Sequence, residues 1–309
     1  FTRIRFGAAG DSAYTNQATI LLANYSSGSD TATAFAYYPG SKMSASAAGD
    51  VWVNITSGSN TDPITGNYAA MVLVHELGHA IGIAHPADYQ SDDAPTYADN
   101  AAYYEDSRQF TVMSYFSESN TGANFGGRYS AAPLLDDIAA VQLEYGANMS
   151  TRTGDTVYGF NSNAGRPWFE ALSTTAKLIF AVWDAGGNDT FDFSGFSNNQ
   201  TIDLRAGHFS SVGGLIGNVA VAAGATVENA VGGSGADAIT GNTAANTLNG
   251  AAGDDVIYGG AGGDTIAGGD DANLAPGDTI TQTQSAVVLE NLIGQFLTGR
   301  ADSAGAGGA

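Results

Sequence analysis

The sequence predicts an α+β domain over residues 1–149, followed by an all-β domain of β-roll/β-sandwich type over residues 150–309 that contains a parallel β-roll. Two observations on periodicity separate the halves. The first half has short apolar stretches and two segments with helical spacing and helix-capping residues. The second half alternates strand-like pieces with Gly/Asn/Asp turns, and within it a nine-residue unit repeats without interruption over 232–267.

Three short strands are predicted in the first domain. Each is an apolar stretch bounded by Gly, Ser or Asn, and they span 19–25, 33–39 and 50–55. The chain also begins on a strand-like segment that contains Ile4 and Phe6 and does not resemble a signal peptide. We therefore expect this domain to be truncated at its N-terminal side.

Two helices are predicted in the same domain. Asn67 can cap a helix from Tyr68 to Ile81, which Gly82 is placed to end. A second helix begins near Pro133 and ends before Gly146. Its apolar positions recur at helical spacing: Leu134, Ile138, Val141 and Tyr145.

The nine-residue unit is G-G-x-G-x-D-x-U-x, where U is a large aliphatic residue. The copies at 232–240 and 259–267 match it in full, whereas those at 241–249 and 250–258 each depart from it. The glycines form a turn whose carbonyls can face a cation, and the Asp adds a carboxylate. Two units would make one coil, so that every second turn stacks on the one before it and shares an ion with it. A flexible linker, the alternative, gives no reason for the phased aliphatics Ile239, Leu248, Ile257 and Ile266.

Composition restricts the partners. Acidic residues outnumber basic ones 31 to 10, for a formal charge of −21, and there is no cysteine. Such a chain repels nucleic acid and anionic membranes, so neither is an expected partner. No apolar run reaches the roughly 18 residues that span a bilayer. The crowded carboxylates instead favour bound cations, calcium above all.

Three of the four histidines lie within eleven residues, in VLVHELGHAIGIAHPADY. His75 and His79 share one face of the predicted helix, as two ligands of a tetrahedral zinc must, and Glu76 can reach a metal-bound water. His85 can join them only if the chain reverses after the helix, for which Gly82 is suited. Three protein ligands leave an open metal position, which is typical of a catalytic site. The alternative is a helix with incidental histidines.

These residues resemble a known family. HELGHAIGIAH is similar to the extended HExxHxxGxxH motif of the metzincin peptidases. TVMSYF at 111–116 resembles their methionine turn, with Met113 as the methionine, and Pro86 is the residue that serralysins have after the third histidine. The nonapeptides and the segments EDSRQFTVMSYF and PLLDDIAAVQLEYGAN are also similar to serralysin segments. The chain thus resembles serralysin-type metzincin zinc metalloproteases with RTX calcium-binding repeats.

The resemblance implies a metzincin fold for the first domain and one catalytic zinc, bound by His75, His79 and His85. Glu76 would be the general base. Tyr115 would ligate the resting zinc, leave it when substrate binds, and then face the oxyanion. An extended substrate would lie along Ala34, Phe35, Ala36 and Tyr37.

The resemblance further implies several structural calcium ions. One site in the repeats would use Gly233, Gly235, Asp237, Gly250, Ala252 and Asp255. A second would use Asn242, Ala244, Asn246, Gly259, Ala261 and Asp264, and we expect it to be weaker because Asn replaces Asp. Two further sites would precede the repeats. The first would use Arg152, Gly154, Thr156, Asp184, Gly186 and Asp189. The second, next to it, would use Gly187, Asp189, Thr226 and Glu228. Because the roll should have a narrow core with one aliphatic per repeat, we expect calcium to hold the C-terminal half together.

Together these features predict a secreted zinc endopeptidase that is stabilised by calcium and exported by a type I-like route without an N-terminal signal peptide. We expect a monomer that acts on protein substrates, with a proteinaceous protease inhibitor as a candidate partner. The alternative is a non-catalytic, calcium-loaded surface or adhesion protein that retains a protease scaffold. The complete set of zinc-site residues favours the enzyme.

Overall fold

A computed structural model describes residues 20–27, 32–40, 47–60, 62–89, 95–269 and 279–281. The chain divides into two compact units, one of residues up to 122 together with 127–148, the other of 123–126 together with residues from 149 onward. The predicted strand around Ile4 and Phe6 lies outside the described residues.

The first unit contains all three predicted strands and both predicted helices. Its elements are β1 (Leu22–Tyr25), β2 (Ala34–Ala36), β3 (Val51–Asn54), α1 (Tyr68–Ala80), α2 (Tyr97–Asn100) and α3 (Leu135–Tyr145). Strand β3 is central, pairing in parallel with β1 and antiparallel with β2. The single-turn helix α2 was not predicted. None of the helices in the described part of the chain is long and apolar enough to cross a bilayer.

Helix α1 has the predicted ends to within one residue. Asn67 caps it by accepting a hydrogen bond from Ala70 N at 3.0 Å. Gly82 adopts a φ of +100°, and Ile83 N donates to Gly78 O at 2.9 Å, which reverses the chain. Met71 and Val72 lie on the buried face of the helix. They pack in a small core with three residues from later segments, Val112, Met113 and Leu134.

Helix α3 begins at Leu135, with Leu134 as its N-cap residue. Leu134 is buried, as the apolar spacing predicted. Tyr145, the last member of that apolar stripe, is instead 61% exposed. Its hydroxyl donates to Ile81 O at 2.5 Å, so it ties the end of α3 to the end of α1 through its polar atom.

The second unit is built from short strands. In chain order they are β4 (Val157–Gly159), β5 (Phe180–Val182), β6 (Thr190–Asp192), β7 (Thr201–Asp203), β8 (Phe209–Ser210), β9 (Val219–Val221), β10 (Asn229–Val231), β11 (Ala238–Thr240), β12 (Thr247–Asn249), β13 (Val256–Tyr258), β14 (Thr265–Ala267) and β15 (Thr279–Thr281). They form sheets of order β14-β12-β10-β6-β4, β15-β13-β11-β7 and β5-β9-β8. All pairs are parallel except β8 with β9.

The repeats form stacked parallel strands, as expected for a β-roll. Each repeat supplies one short strand, and each strand pairs with that of the next repeat but one, β11 with β13 and β12 with β14. The four phased aliphatics are at most 2% exposed. Gly253, at a φ of +123°, shows why the turns need glycine, because a Cβ there would lie 2.4 Å from Gly235 O in the turn on which it stacks.

The stack extends further in both directions than the repeats predicted. Upstream, β4, β6 and β10 continue one sheet and β7 the other, although none belongs to a nonapeptide. Downstream, β15 pairs with β13 after the nonapeptide register has ended. The narrow core was expected of the repeats, where each strand buries one aliphatic side chain. Upstream of them, large aromatic residues are buried: Tyr158, Phe169, Phe180, Phe191, Phe193 and Phe196.

Candidate active site

Three imidazoles converge at the end of α1. Nε2 of His85 lies 3.1 Å from Nε2 of His75 and 3.0 Å from Nε2 of His79. The candidate ligand atoms of the three side chains lie within 4.8 Å of one another. The helix places the first two one turn apart, and the turn at Gly82 returns the third to them.

Backbone carbonyls orient two of these imidazoles. Nδ1 of His75 lies 2.8 Å from Val112 O, and Nδ1 of His79 lies 2.8 Å from Ile83 O. Because a carbonyl oxygen only accepts, we assign the proton of each ring to Nδ1, and each Nε2 then presents a lone pair to the common centre. Such bonds to the outer nitrogen are typical of metal-binding histidines.

The three histidines fit a metal ion. Burial lowers the pKa of His75 to about 4 and that of His85 to about 3, and it also lowers the pKa of His79. The rings are therefore neutral at ordinary pH, which is the form that binds metals. Neutral lone pairs at this spacing repel one another unless a cation lies among them, and imidazole donors suit zinc.

Glu76 follows His75 in α1 and is 6% exposed. Burial raises its pKa to about 7. The phenols of Tyr38 and Tyr115 have raised pKa values, first because of burial and then because of the charge of Glu76. The carboxyl group thus lies within electrostatic reach of both tyrosines, and its pKa near neutrality suits a general base.

Tyr115 has a backbone held by a hydrogen bond and a side-chain ring that is partly exposed to solvent. Its ring centroid lies 4.7 Å from that of His85 and 6.0 Å from that of His75. Its carbonyl accepts a hydrogen bond from Arg108 Nη2 at 2.7 Å, whereas the residue is 48% exposed. The ring therefore lies beside the histidines with solvent on part of its surface.

Met113 packs against the helix that carries the histidines. It is buried, and a Cβ added to Gly78 would lie 2.6 Å from its sulfur. Met113 N donates to Thr111 Oγ1 at 2.9 Å, which closes a tight turn. The structure thus brings the predicted methionine turn against the turn of α1 that contains Gly78 and His79.

Strand β2 contains three of the four residues predicted to bind substrate. It is an edge strand in the described sheet, whose order is β1-β3-β2. Tyr37 follows the strand and donates from its backbone N to Asp50 O at 3.0 Å. Tyr38, which was not predicted, has its ring edge-on to His79, with centroids 5.2 Å apart.

Asp137 is a further residue that the sequence interpretation missed. Its carboxylate accepts hydrogen bonds from Thr111 Oγ1 at 2.5 Å, Val112 N at 3.0 Å and Leu134 N at 2.8 Å. It therefore links α3 to the segment whose Val112 carbonyl orients His75. The available signal was an acidic residue in the first turn of a helix, where side chains satisfy exposed amides.

In the second unit, the residues predicted for the first repeat site are brought together. Asp237 N donates to Asp255 Oδ1 at 2.8 Å, and Ala252 N donates to Gly233 O at 3.0 Å. The sixth residue of each repeat is buried: Asp237, Asn246, Asp255 and Asp264. Buried carboxylates among backbone carbonyls fit a calcium ion.

The second predicted repeat site is arranged differently. Ala261 N donates to Asn242 O at 3.1 Å, so the two turns stack. However, Asn246 Nδ2 donates to Asn242 Oδ1 at 3.0 Å and to Glu228 O at 2.8 Å. A donor nitrogen thus occupies the place of a carboxylate oxygen, which fits a cation less well.

Upstream of the repeats, three acidic residues lie close together. Asp189 accepts from Thr156 N at 2.8 Å and donates from its own N to Glu228 Oε2 at 2.8 Å. Its Oδ2 is buried without a hydrogen-bond partner among the described residues. Burial raises the pKa of Asp189 to about 7, and the charges of Asp184 and Glu228 add to this. A cation would relieve both effects.

Other residues predicted for these upstream sites surround the acidic group. Arg152 Nε lies 3.8 Å from Asp184 Oδ2, and Gly186 N donates to Asp184 Oδ1 at 3.1 Å. A Cβ on Gly187 would lie 2.6 Å from Gly154 O, so these two turns are in close contact. Thr226 is exposed in the irregular segment that leads to Glu228.

Comparison with known proteins matches both parts of the chain. Residues 4–125 match the family described as metallo-peptidase family M12, and residues 147–292 match the peptidase M10 serralysin C terminal. The chain therefore contains a metallopeptidase domain followed by a serralysin C-terminal region. It belongs to the serralysin family of metalloproteases.

Three relatives illustrate the similarity. Serralysin B of Dickeya chrysanthemi is 52% identical over 229 residues, which are 72% of this chain and 47% of the relative. Metalloprotease AprA of Pseudomonas entomophila is 56% identical over 220 residues, 69% of this chain and 45% of the relative. Serralysin of Photorhabdus luminescens is 52% identical over 210 residues, 67% and 43% respectively. The chain spans less than half the length of these relatives.

Proposed function

We propose that this chain carries the zinc site and the calcium-binding region of a secreted endopeptidase whose catalytic domain has the metzincin fold. The observation that carries the proposal is the convergence of three neutral imidazoles, those of His75, His79 and His85. The buried Glu76 follows the first of them in the same helix. Its membership of the serralysin family, whose relatives include named metalloproteases, supports the same function.

The residues of the site divide the chemistry. Zinc, when bound by the histidines, would polarise a scissile carbonyl and acidify a water molecule. Glu76 takes up a proton from the attacking water and returns it to the leaving amine. The hydroxyl of Tyr115 faces the oxygen on which negative charge develops. The edge of β2, with Ala34, Phe35, Ala36 and Tyr37, holds an extended peptide through backbone hydrogen bonds.

In this proposal, calcium ions bound between the turns of the second unit stabilise it, and the substrates are proteins outside the cell. Four buried or clustered carboxylates support cation binding there: Asp189, Asp237, Asp255 and Asp264. Export by a type I-like route, a monomeric state and a proteinaceous inhibitor are further parts of the proposal, which rest on the family resemblance.

Substitution of Glu76 tests the catalytic role. Glu76→Gln should keep one zinc per chain, because the histidines remain, and should lower casein hydrolysis by about 10²- to 10⁴-fold, the usual contribution of a general base. Glu144→Gln, at an exposed position of α3, is the matched control and should retain both zinc and activity. Near-normal turnover of Glu76→Gln would contradict the proposal.

A further inference from the structure

Tyr89 stacks directly on Tyr115. Their ring centroids lie 4.7 Å apart with an interplanar angle of 24°. The centroid of the Tyr89 ring also lies 5.3 Å from that of His85 and 5.2 Å from that of Phe116, to which it is edge-on. Tyr89 therefore contacts the half-exposed Tyr115 ring, one of the histidines and the residue that follows Tyr115.

A buried carboxylate holds Tyr89 in this position. The Tyr89 hydroxyl donates to Oδ1 of Asp106, which has no exposed surface. The same oxygen accepts a hydrogen bond from Ser114 Oγ at 2.7 Å, and Ser114 Oγ in turn accepts from Phe116 N at 3.0 Å. One oxygen atom thus anchors the stacked phenol and also the backbone on both sides of Tyr115.

The carboxylate is unusual for a residue that serves packing alone. Oδ2 of Asp106 is buried and has no hydrogen-bond partner among the described residues. An unsatisfied buried oxygen is costly, and such groups are rare in folded proteins. The two side-chain bonds that Oδ1 accepts both lead to the surroundings of Tyr115, which points to a role at that residue.

We propose that Tyr89, anchored by Asp106, is a positioning residue that holds the Tyr115 ring beside the three histidines. The inference rests on the role proposed above for Tyr115. Stacked aromatic pairs shift an equilibrium by about 2- to 12-fold beyond simple burial. The anchored Tyr89 ring therefore favours one placement of the Tyr115 ring. It does not cover the solvent-exposed part of Tyr115, so it does not hold that part in place.

Three substitutions separate the ring from its anchor. Tyr89→Leu removes the stacking surface and retains an apolar side chain. Tyr89→Phe keeps the ring and loses the hydrogen bond to Asp106, and Asp106→Asn keeps the ring and weakens the same bond. If the role is positioning, the two anchor variants should show a smaller version of the Tyr89→Leu effect.

Tyr97→Phe is the matched control. It also removes a phenol hydrogen bond, from Tyr97 to Tyr104 O at 2.6 Å. Its ring is edge-on to Phe116 at 5.6 Å, so it lies in the same neighbourhood and contacts the residue next to Tyr115. A general loosening of this region would affect the control and the Tyr89 variants alike.

The position of the ring can be measured directly with a fluorinated tyrosine placed at position 115 alone and observed by fluorine NMR. Tyr89→Leu should shift and broaden the resonance, because the ring current and the restraint of the Tyr89 ring are lost. Tyr89→Phe and Asp106→Asn should shift it less, and Tyr97→Phe should leave it unchanged. In peptide hydrolysis, kcat should fall by about 2- to 12-fold in Tyr89→Leu with KM almost unchanged.

Two results would overturn the positioning role: a resonance in Tyr89→Leu identical to that of the parent, or equal shifts in Tyr97→Phe and the anchor variants. If Tyr89→Leu lowered the melting temperature but left the resonance unchanged, the positioning role would also be overturned, because Tyr89 would then have a structural role only. If the parent proved inactive while its resonance depended on Tyr89, the positioning role would stand and the proposed peptidase function would fail.

Discussion

Gly78 and Met113 lie so close that a larger residue at position 78 would require the end of the Met113 side chain to move. A Cβ on Gly78 would lie 2.6 Å from the sulfur of Met113 and 3.2 Å from its terminal methyl carbon. Met113 is 1% exposed, so its side chain cannot swing into solvent. The lack of a side chain at Gly78 therefore lets the helix that carries His75 and His79 pack closely against Met113.

Gly78→Ala should destabilise the first unit. Overpacking costs about 1–3 kcal/mol, and the better helix propensity of Ala offsets about 0.5–1 kcal/mol of this. Urea unfolding of the metal-free and zinc-loaded protein measures the loss. Adding Met113→Val to Gly78→Ala relieves the contact and should recover part of it. A double variant no more stable than Gly78→Ala would show that this contact does not limit the packing.

Asp137 should make stability depend on pH. Burial raises its pKa from 3.8 to about 6, so the folded protein binds this proton more tightly than the unfolded chain does. The resulting stabilisation is fully present below about pH 3.8 and is lost as the pH rises through about 6. Asp137→Asn should remove this part of the slope, because an amide does not titrate here.

The amide can also preserve the hydrogen bonds, by accepting from Val112 N and Leu134 N and donating to Thr111 Oγ1. Unfolding free energies measured between about pH 4 and 7 test the prediction. Glu144→Gln, which removes an exposed charge from the same helix, should leave the slope as it is. Asp137→Leu should instead cost about 1–3 kcal/mol for each buried donor left without a partner.

The convergence of His75, His79 and His85 could be predicted because their arrangement is local. The spacing of His75 and His79 follows from the helical period, and Gly82 marks the reversal that returns His85. Each repeat strand pairs with the strand two repeats further along, β11 with β13 and β12 with β14. This pairing likewise follows from the period of the repeat. In both cases a short-range pattern determines which side chains meet.

The supporting residues could not be predicted, since no period connects them to their partners. The bond from Val112 N to Asp137 spans 25 residues, and that from Tyr89 to Asp106 spans 17. The aromatic core around Tyr158 belongs to strands that carry no nonapeptide. These contacts depend on how separate elements pack, which the sequence pattern does not encode.

Ala251 occupies a position where the repeat unit has glycine, and its φ is +69°. A Cβ in this left-handed region costs about 1–2 kcal/mol. Ala251→Gly should therefore raise the unfolding free energy by about 0.5–1 kcal/mol, after the extra entropy of an unfolded glycine is subtracted. Ala236→Gly, at a residue with negative φ, should lower it by about 0.4–1 kcal/mol. Equal thermal shifts in the two variants would contradict this account.

Removal of calcium should affect the repeats more than the rest of the second unit. Strands β11–β14 each bury one aliphatic side chain, whereas β5 and β9 are buried along their whole length beside the aromatic core. In hydrogen exchange of the full chain, a calcium chelator should deprotect β11–β14 before β5 and β9. A zinc-selective chelator is the control and should leave both regions protected. Simultaneous loss in all these strands would show that calcium holds the whole unit together.

The last prediction concerns Asn246, which stands where the repeat unit has Asp. Its amide satisfies the turn without an ion, through bonds from Nδ2 to Asn242 Oδ1 and Glu228 O and from Asn242 N to Oδ1. Asn246→Asp replaces this donor with a buried negative charge that needs a cation. The variant should therefore bind one more calcium ion per chain by native mass spectrometry.

Its melting temperature should rise with calcium more steeply than that of the parent, and it should be less stable than the parent in chelator, because two donated bonds are lost. Asn249→Asp introduces the same charge nearby, at a half-buried residue outside the predicted ligand set, and should change neither the stoichiometry nor the calcium dependence. If Asn246→Asp melted at the parent's temperature in chelator, the amide of Asn246 would not be substituting for an ion in this turn.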